Sequence, residues 1–257
     1  MKVALITGAS SGIGKAIALK LLADGYAVSV TGRSMSKLQD AYSEVNPSLI
    51  KFIEADAQVF ESYETVVRET ISAFGRLDVL VNNVGGGTLG QKLDTTTLEA
   101  WNASFQLNTT SVFFTSQAAL PYLIESKGVV INFSSILASR PVAGLGPYSM
   151  AKAAVEMITK TMAIELASKE IRVLCISPAT IQTGFHTSAG MSQEVADAYY
   201  VASATTHPIG RIGQPNDVAE LVSFLADSVK SGFITGSVIN LDGGRLLTSA
   251  VAANLNR

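Results

Sequence analysis

Three side chains in the middle of this sequence have the types and spacing to hand a proton to an oxygen. Tyr148 and Lys152 stand four residues apart, the interval that places two side chains on one face of a helix, and Ser135 precedes the tyrosine by thirteen positions. Hydride addition to a ketone leaves an alkoxide, and a hydroxyl acid must then deliver a proton at neutral pH, although free tyrosine ionises near a pKa of ~10. An ammonium held about 4 Å away favours the phenolate by a few kcal/mol at an effective dielectric near 20. Lys152 would supply that field, and Ser135 is a hydroxyl at the end of the preceding apolar run. Ser134 is the competing hydroxyl, but on an extended chain it points to the face opposite Ser135. A Tyr-x3-Lys pair alone is weak, as any short motif is; its weight comes from what surrounds it.

A second loaded stretch opens the chain: Thr7-Gly8-Ala9-Ser10-Ser11-Gly12-Ile13-Gly14. Glycines let a backbone turn tightly and approach a diphosphate, while free N–H groups and the dipole of a helix start face the anion. Three glycines and two serines exceed what closing a strand-to-helix turn requires. At the end of the second apolar run stands Gly32-Arg33-Ser34. A carboxylate there would accept from the adenine ribose hydroxyls and repel a 2′-phosphate; a guanidinium can instead pair with that phosphate bidentately. Arg33 therefore favours NADPH over NADH.

These groups need a scaffold, and the apolar pattern describes one. Short β-branched runs at Val3 to Thr7, Val28 to Gly32, Lys51 to Ala55, Val79 to Asn82, Val129 to Phe133, Arg172 to Ile176 and Val238 to Leu241 read as strands. Most are continuously apolar, as strands covered on both faces are. Between them Gly14 to Asp24, Ser36 to Val45, Phe60 to Phe74, Leu98 to Leu123, Tyr148 to Ala167 and Asp217 to Ala226 carry apolar residues three and four apart, the helical period. The alternation predicts an α/β fold, one doubly wound parallel sheet of about seven strands flanked by helices on both faces, using residues 1–257 as a single domain.

With 47% hydrophobic and 16% charged residues, disorder is excluded. A formal charge of −2 offers no excess of cations to neutralise nucleic acid or an anionic membrane. One cysteine, Cys175, excludes an intrachain disulfide, and two histidines cannot build a Cys/His zinc site; no metal is expected. Neither a signal-peptide core nor an apolar run of spanning length is visible, so the expected compartment is the cytoplasm.

In its Thr-Gly-x3-Gly-x-Gly loop, its Ser135, Tyr148 and Lys152 set and its length, the chain resembles the short-chain dehydrogenase/reductase family, and the likeness runs along essentially the whole sequence. The resemblance implies a Rossmann-type fold and assigns cofactor contacts to Thr7, Gly8, Ser10, Ser11, Gly12, Ile13 and Gly14, with Arg33 and Ser34 at the adenosine. It gives Lys152 a second task, binding the nicotinamide ribose beside Tyr148. Asn108, a polar interruption in the long fourth helix, becomes the fourth catalytic candidate, distorting the helix and holding a water in the relay to Lys152. Asn82-Asn83-Val84-Gly85 corresponds to the family's Asn-Asn-Ala-Gly, so Asn83, Val84 and Gly85 join the cofactor set, with Gly86 and Gly87 following as a mobile or unusually shaped loop. Asp56 and Ala57 would meet the adenine, though Ala57-Gln58 departs from the usual pattern. Pro178 and Ala179, with alanine at the family's glycine position, and Thr183 would lie beside the nicotinamide or diphosphate.

The segment 184–206 is expected to be a helical substrate lid. It carries His186, which titrates near neutrality but on such a segment reads as a packing residue before a catalytic one. The helix over Tyr148 to Ala167 is apolar on more than one side, with Ala153, Met157 and Ile164 beyond the main stripe, and Val112, Phe113 and Phe114 extend the helix before it. By resemblance these helices pair between subunits and the C-terminal segments pack across a second axis, giving a homotetramer, with a dimer as the simpler assembly. Three functions stay open: NADPH-dependent reduction of a ketone or aldehyde, NAD-dependent oxidation of a secondary alcohol, sugar or steroid, and a non-catalytic nucleotide sensor or scaffold.

Overall fold

Seven parallel strands pair in one sheet in the order β3-β2-β1-β4-β5-β6-β7: β1 (Val3–Ile6), β2 (Ala27–Gly32), β3 (Ile50–Glu54), β4 (Val79–Asn82), β5 (Val129–Phe133), β6 (Arg172–Pro178) and β7 (Val238–Leu241). The structure, a computed structural model, describes residues 1–248; the C-terminal packing expected by resemblance falls partly on residues 249–257, which lie outside the described residues. All seven expected strands form, with ends shifted by one or two positions.

Each central strand alternates its side chains between two apolar layers, which is why its sequence run is continuous. Ala4 and Ile6 of β1 pack with α1 (Gly12–Ala23), α2 (Met35–Ala41) and α9 (Pro215–Ala226) on one face. Leu5 turns to the other, where Leu80, Val130 and Val173 meet α3 (Glu61–Phe74), α5 (Ser111–Ser126) and α6 (Gly146–Leu166). α4 (Leu98–Phe105), α7 (Phe185–Ser188), α8 (Gln193–Ala204) and α10 (Ser228–Ser231) complete the described helices. Two helices start before their apolar period does, α6 at Gly146 and α9 at Pro215, because Pro147 and Pro215 occupy first-turn positions where proline's fixed φ is already helical.

The segment expected as one helix from Leu98 to Leu123 is α4 and α5 joined through a π-type turn at Gln106–Thr110, with Asn108 inside it. The distortion expected at that residue is present. A π-turn widens the helix by one residue and so redirects the side chain it carries.

Chain direction creates the cleft. From β1 the chain moves outward through β2 and β3, then returns to place β4 on the other side of β1. The loops leaving β1 and β4 at their carboxyl ends therefore run in opposite directions, which opens a crevice at that point in any doubly wound sheet. Behind it a buried polar chain ties the layers together: Asn82 Nδ2 donates to Ser116 Oγ and Asn132 Oδ1, both at 2.9 Å, and Asn132 Nδ2 donates to Thr159 Oγ1 at 3.0 Å. None of its side-chain atoms is among the buried polar atoms left without a partner, so β4, β5, α5 and α6 hold one register just below the site.

Candidate active site

A cleft of about 690 Å³ opens at the carboxyl ends of the strands. One half is built from backbone. Gly8 and Gly12 hold left-handed φ values of +65° and +54°, which side chains rarely adopt. Gly14 is required for a different reason: a Cβ there would lie 2.4 Å from Gly8 O and 2.8 Å from Ala9 Cα, so α1 packs directly on the loop. Ser11 precedes α1 in extended conformation and its side chain makes no capping bond, leaving first-turn N–H groups and the helix dipole open toward the cleft. Asn83 braces the loop by donating to Thr7 O and Gly8 O, both at 2.9 Å, while Thr7 Oγ1 accepts from Asn83 N and Val84 N. Val84 packs against Gly8, and Thr183 faces Gly12 from across the cleft.

The adenosine candidates separate. Arg33, Asp56 and Ala57 line the cleft, whereas Ser34 caps α2 by accepting from Lys37 N at 3.4 Å and is not part of the lining. Asp56 Oδ1 accepts from Gln58 N at 2.9 Å, shaping its own loop. Pro178 and Ala179 reach the cleft at the end of β6. No non-glycine residue there takes positive φ, consistent with alanine at position 179.

The other half brings Ser135, Tyr148 and Lys152 together with Asn108. Ser135 leaves β5 extended and its Oγ accepts from Leu137 N at 3.2 Å, which aims it into the cleft; Ser134 turns away to α6, bonding Lys152 O and Glu156. Lys152 is only 2% exposed. Its Nζ donates to Phe133 O at 2.9 Å and stands 5.9 Å from the Tyr148 ring centre. Phe133 was not among the sequence candidates, because a carbonyl acceptor leaves no mark in side-chain identity. Asn108 clasps one residue with both ends of its amide: Oδ1 accepts from Gly86 N at 3.0 Å and Nδ2 donates to Gly86 O at 2.8 Å, with a further bond to Ser104 O.

That clasp explains the glycine run. Gly85, Gly86 and Gly87 have no left-handed φ; they are places of close approach, which corrects the expected unusual loop shape. A Cβ on Gly85 would come within 2.8 Å of Lys152 Nζ and 3.0 Å of Asn108 Oδ1, and one on Gly87 within 3.2 Å of the Tyr148 ring.

Burial dominates the titration of the pair. It pushes the Tyr148 phenol up to about 12, with the Ser135 hydroxyl pulling the other way, and brings the Lys152 ammonium down to about 8. The sequence reading expected the lysine field to depress the tyrosine. Among the chain's own groups the sign is reversed, because both side chains have left water and the ammonium is committed to Phe133 O. Tyr148 thus holds its proton firmly at neutral pH, the state an acid needs.

A family model described as enoyl-(acyl carrier protein) reductase matches residues 8–245. The chain belongs to the short-chain dehydrogenase/reductase family. It is 35% identical to the 3-oxoacyl-[acyl-carrier-protein] reductase of Thermotoga maritima over 254 residues, 96% of this chain and 98% of its relative. Among solved structures, a Caenorhabditis elegans short-chain dehydrogenase/reductase of unknown function with cofactor superposes with a TM-score of 0.92 at 32% identity, covering 98% of this chain and 97% of that one. The Brucella melitensis 3-ketoacyl-(acyl-carrier-protein) reductase complexed with NADH gives 0.86 at 30% identity, covering 95% and 98%. As a short-chain dehydrogenase/reductase the chain is an NAD(P)-dependent oxidoreductase acting on CH–OH or C=O groups. The open first turn of α1 and the left-handed Gly8 and Gly12 fit a dinucleotide diphosphate.

The buried lysine makes stability depend on pH in a defined sense. Its folded pKa of about 8 lies below the 10.5 of a lysine in water, so between those values the unfolded chain binds more protons and stability rises with pH. The burial penalty is fully present below pH ~8 and gone above ~10.5. Urea unfolding without dinucleotide should show wild type gaining stability relative to Lys152→Met across that window; a pH-independent difference would place Lys152 in contact with water.

Proposed function

We propose that this chain is an NADPH-dependent reductase of ketones or aldehydes, with Tyr148 as proton donor, Ser135 as the hydrogen-bond donor to the substrate oxygen, Lys152 as electrostatic support and Asn108 as the group that holds the Gly86 strip against them. The observation that carries the reading is the buried triad itself: a protonated phenol, a hydroxyl and an ammonium converge on the cleft, with the Gly85 to Gly87 backbone packed directly against them. The bound dinucleotide supplies the hydride. Lys152 would hold the ribose beside Tyr148, and its charge would stabilise the phenolate left once the Tyr148 proton has moved to the alkoxide. The same groups in reverse would serve oxidation of a secondary alcohol with NAD, and a scaffold role would need none of them.

The name of the Thermotoga relative supports carbonyl reduction. Arg33 supports NADPH, standing on the cleft wall where a ribose-binding carboxylate would stand; NADH is the second choice. We further propose a homotetramer, with a dimer as fallback, because Met157 and Ile164 on α6 are 61% and 80% exposed and Phe113 on α5 is 41% exposed, apolar area that a partner helix would cover. The single cysteine suits the cytoplasm. The substrate lid we propose for 184–206 would use α7 and α8, from which Phe185, His186 and Tyr199 line the cleft.

Three measurements test these statements. Tyr148→Phe should bind dinucleotide normally yet lose roughly 10²–10⁴-fold in turnover of a ketone panel; near-normal turnover would move the proton donor elsewhere. Fluorescence titration should show NADPH binding more tightly than NADH, with the ratio collapsing in Arg33→Ala; an unchanged ratio would free Arg33 of that role. Light scattering at micromolar concentration should give four times the 27.0 kDa chain mass, or twice it; a monomer would mean the exposed apolar side chains of α5 and α6 stay in water.

A further inference from the structure

Around Tyr148 the cleft wall has an unusual composition. The charged residues that line the whole cleft are Arg33 and Asp56, at the β2–β3 end, and Lys152. The catalytic end is otherwise uncharged: Ala100, Ala103 and Leu107 form one side, and the aromatic rings of Phe185, His186 and Tyr199 form the other. Those rings make a continuous wall leading out from the proton donor. The Phe185 ring centre is 5.9 Å from that of Tyr148 and 5.5 Å from that of His186, and Tyr199 lies 4.5 Å beyond His186.

His186 is held in one tautomer by its neighbours. Tyr200 Oη lies 2.5 Å from Thr183 O, and since a carbonyl can only accept, the tyrosine spends its single proton there. His186 Nδ1, 3.0 Å from the same Oη, must therefore be the donor. The proton is thereby assigned to Nδ1, leaving Nε2 with a bare lone pair and no hydrogen-bond partner among the described residues. Because Nδ1 is turned toward the buried Tyr200, Nε2 lies on the side of the ring away from it, in a residue that lines the cleft. Burial also lowers the imidazole pKa, which keeps the ring neutral.

We propose that His186 determines specificity, and that the substrate is an uncharged ketone with an aromatic or alicyclic body and a hydroxyl at the end remote from the carbonyl, which donates to His186 Nε2. This rests on the carbonyl-reductase reading above. The aromatic wall packs against the substrate body, the small side chains of α4 leave room for its thickness, and among the described residues that line that wall none is a cation that would compensate a carboxylate. The hydroxyl takes no part in the chemistry. It fixes which way the ketone lies, so that its oxygen meets Ser135 and Tyr148. The link through Tyr200 to Thr183 sets this recognition against the Gly12 turn.

The test uses a matched set: 4-(4-hydroxyphenyl)butan-2-one, 4-phenylbutan-2-one, and the analogue with a carboxylate in place of the phenol hydroxyl. Affinities are measured by calorimetry on the full chain saturated with oxidised dinucleotide, and kcat/KM with the reduced form. Wild type should bind the hydroxylated ketone roughly tenfold more tightly than the phenyl ketone and bind the carboxylate most weakly. His186→Phe should bring the first ratio to about one, and His186→Gln, whose amide oxygen accepts, should restore part of it. Tyr200→Phe, which frees Nδ1, is the second route should His186→Phe not fold, and it too should shrink the preference. Equal affinities in wild type, binding of neither ketone, or a preference untouched by Tyr200→Phe or His186→Phe would overturn the proposal. A preserved binding preference without turnover would support it while counting against the reductase reading; turnover of both ketones with equal affinity would do the reverse.

Discussion

An ammonium inside a dry protein is the constraint on which the catalytic end of this molecule depends. Lys152 is 2% exposed, and a charge taken that far from water costs several kcal/mol unless oxygen atoms replace its hydration. The protein replaces it locally: the carbonyl of Phe133 accepts at 2.9 Å, and Gly85 gives up its side chain so that Nζ and the Asn108 amide can stand over the backbone. Those contacts require α6, the end of β5 and the π-turn at Gln106–Thr110 to meet within a hydrogen-bond tolerance. The polar chain from Ser116 through Asn82 and Asn132 to Thr159 lies directly beneath and ties the same elements together. A partly satisfied network there would cost more than an apolar one, so its completeness is a condition of the site above it.

The same constraint accounts for the π-turn. In a regular α-helix the interior carbonyls are taken by amides four residues on, and a mid-helix asparagine competes with them. Asn108 bonds outward to both backbone groups of Gly86 while its Nδ2 also takes the Ser104 carbonyl one turn back. The widened turn accommodates it, and the loop after β4 is thereby fixed to α4 and α5. Gly87 then approaches the Tyr148 ring.

How far all this could be read from residue types differs by kind of interaction. The strands were visible because burial on both faces writes continuous apolar runs, and the diphosphate loop because left-handed φ at Gly8 and Gly12 and contact at Gly14 exclude other residues. Ser135, Tyr148 and Lys152 were visible through helical spacing and context. Phe133 was hidden, since its contribution is a carbonyl, and the true sign of the Tyr148 shift was hidden because desolvation depends on what surrounds a side chain in space. The resemblance puts Ser34 in the cofactor set, yet a serine at a helix start is drawn to the unpaired amides of its own helix, and it caps α2. The bond from His186 to Tyr200 spans fourteen positions across a turn between two short helices, an interval with no periodic signature.

The two halves of the cleft consequently obey different rules. Backbone amides, glycines and a helix dipole build the half that would hold a diphosphate, and since every dinucleotide presents the same diphosphate, one set of residue types serves and its pattern is recognisable. Side chains from α4, the lid and the π-turn build the other half, and their job is to match a particular body and reject others. Almost any uncharged residue can occupy those positions, so type alone says little. What is informative there is the set of bonds already taken: Tyr200 gives its proton to Thr183, so His186 must give Nδ1–H to Tyr200, so only Nε2 is left to face a ligand. Under the proposal above, specificity at this end would follow from proton accounting among neutral groups, since among the described lining residues the charged ones are Lys152 and, at the dinucleotide end, Arg33 and Asp56.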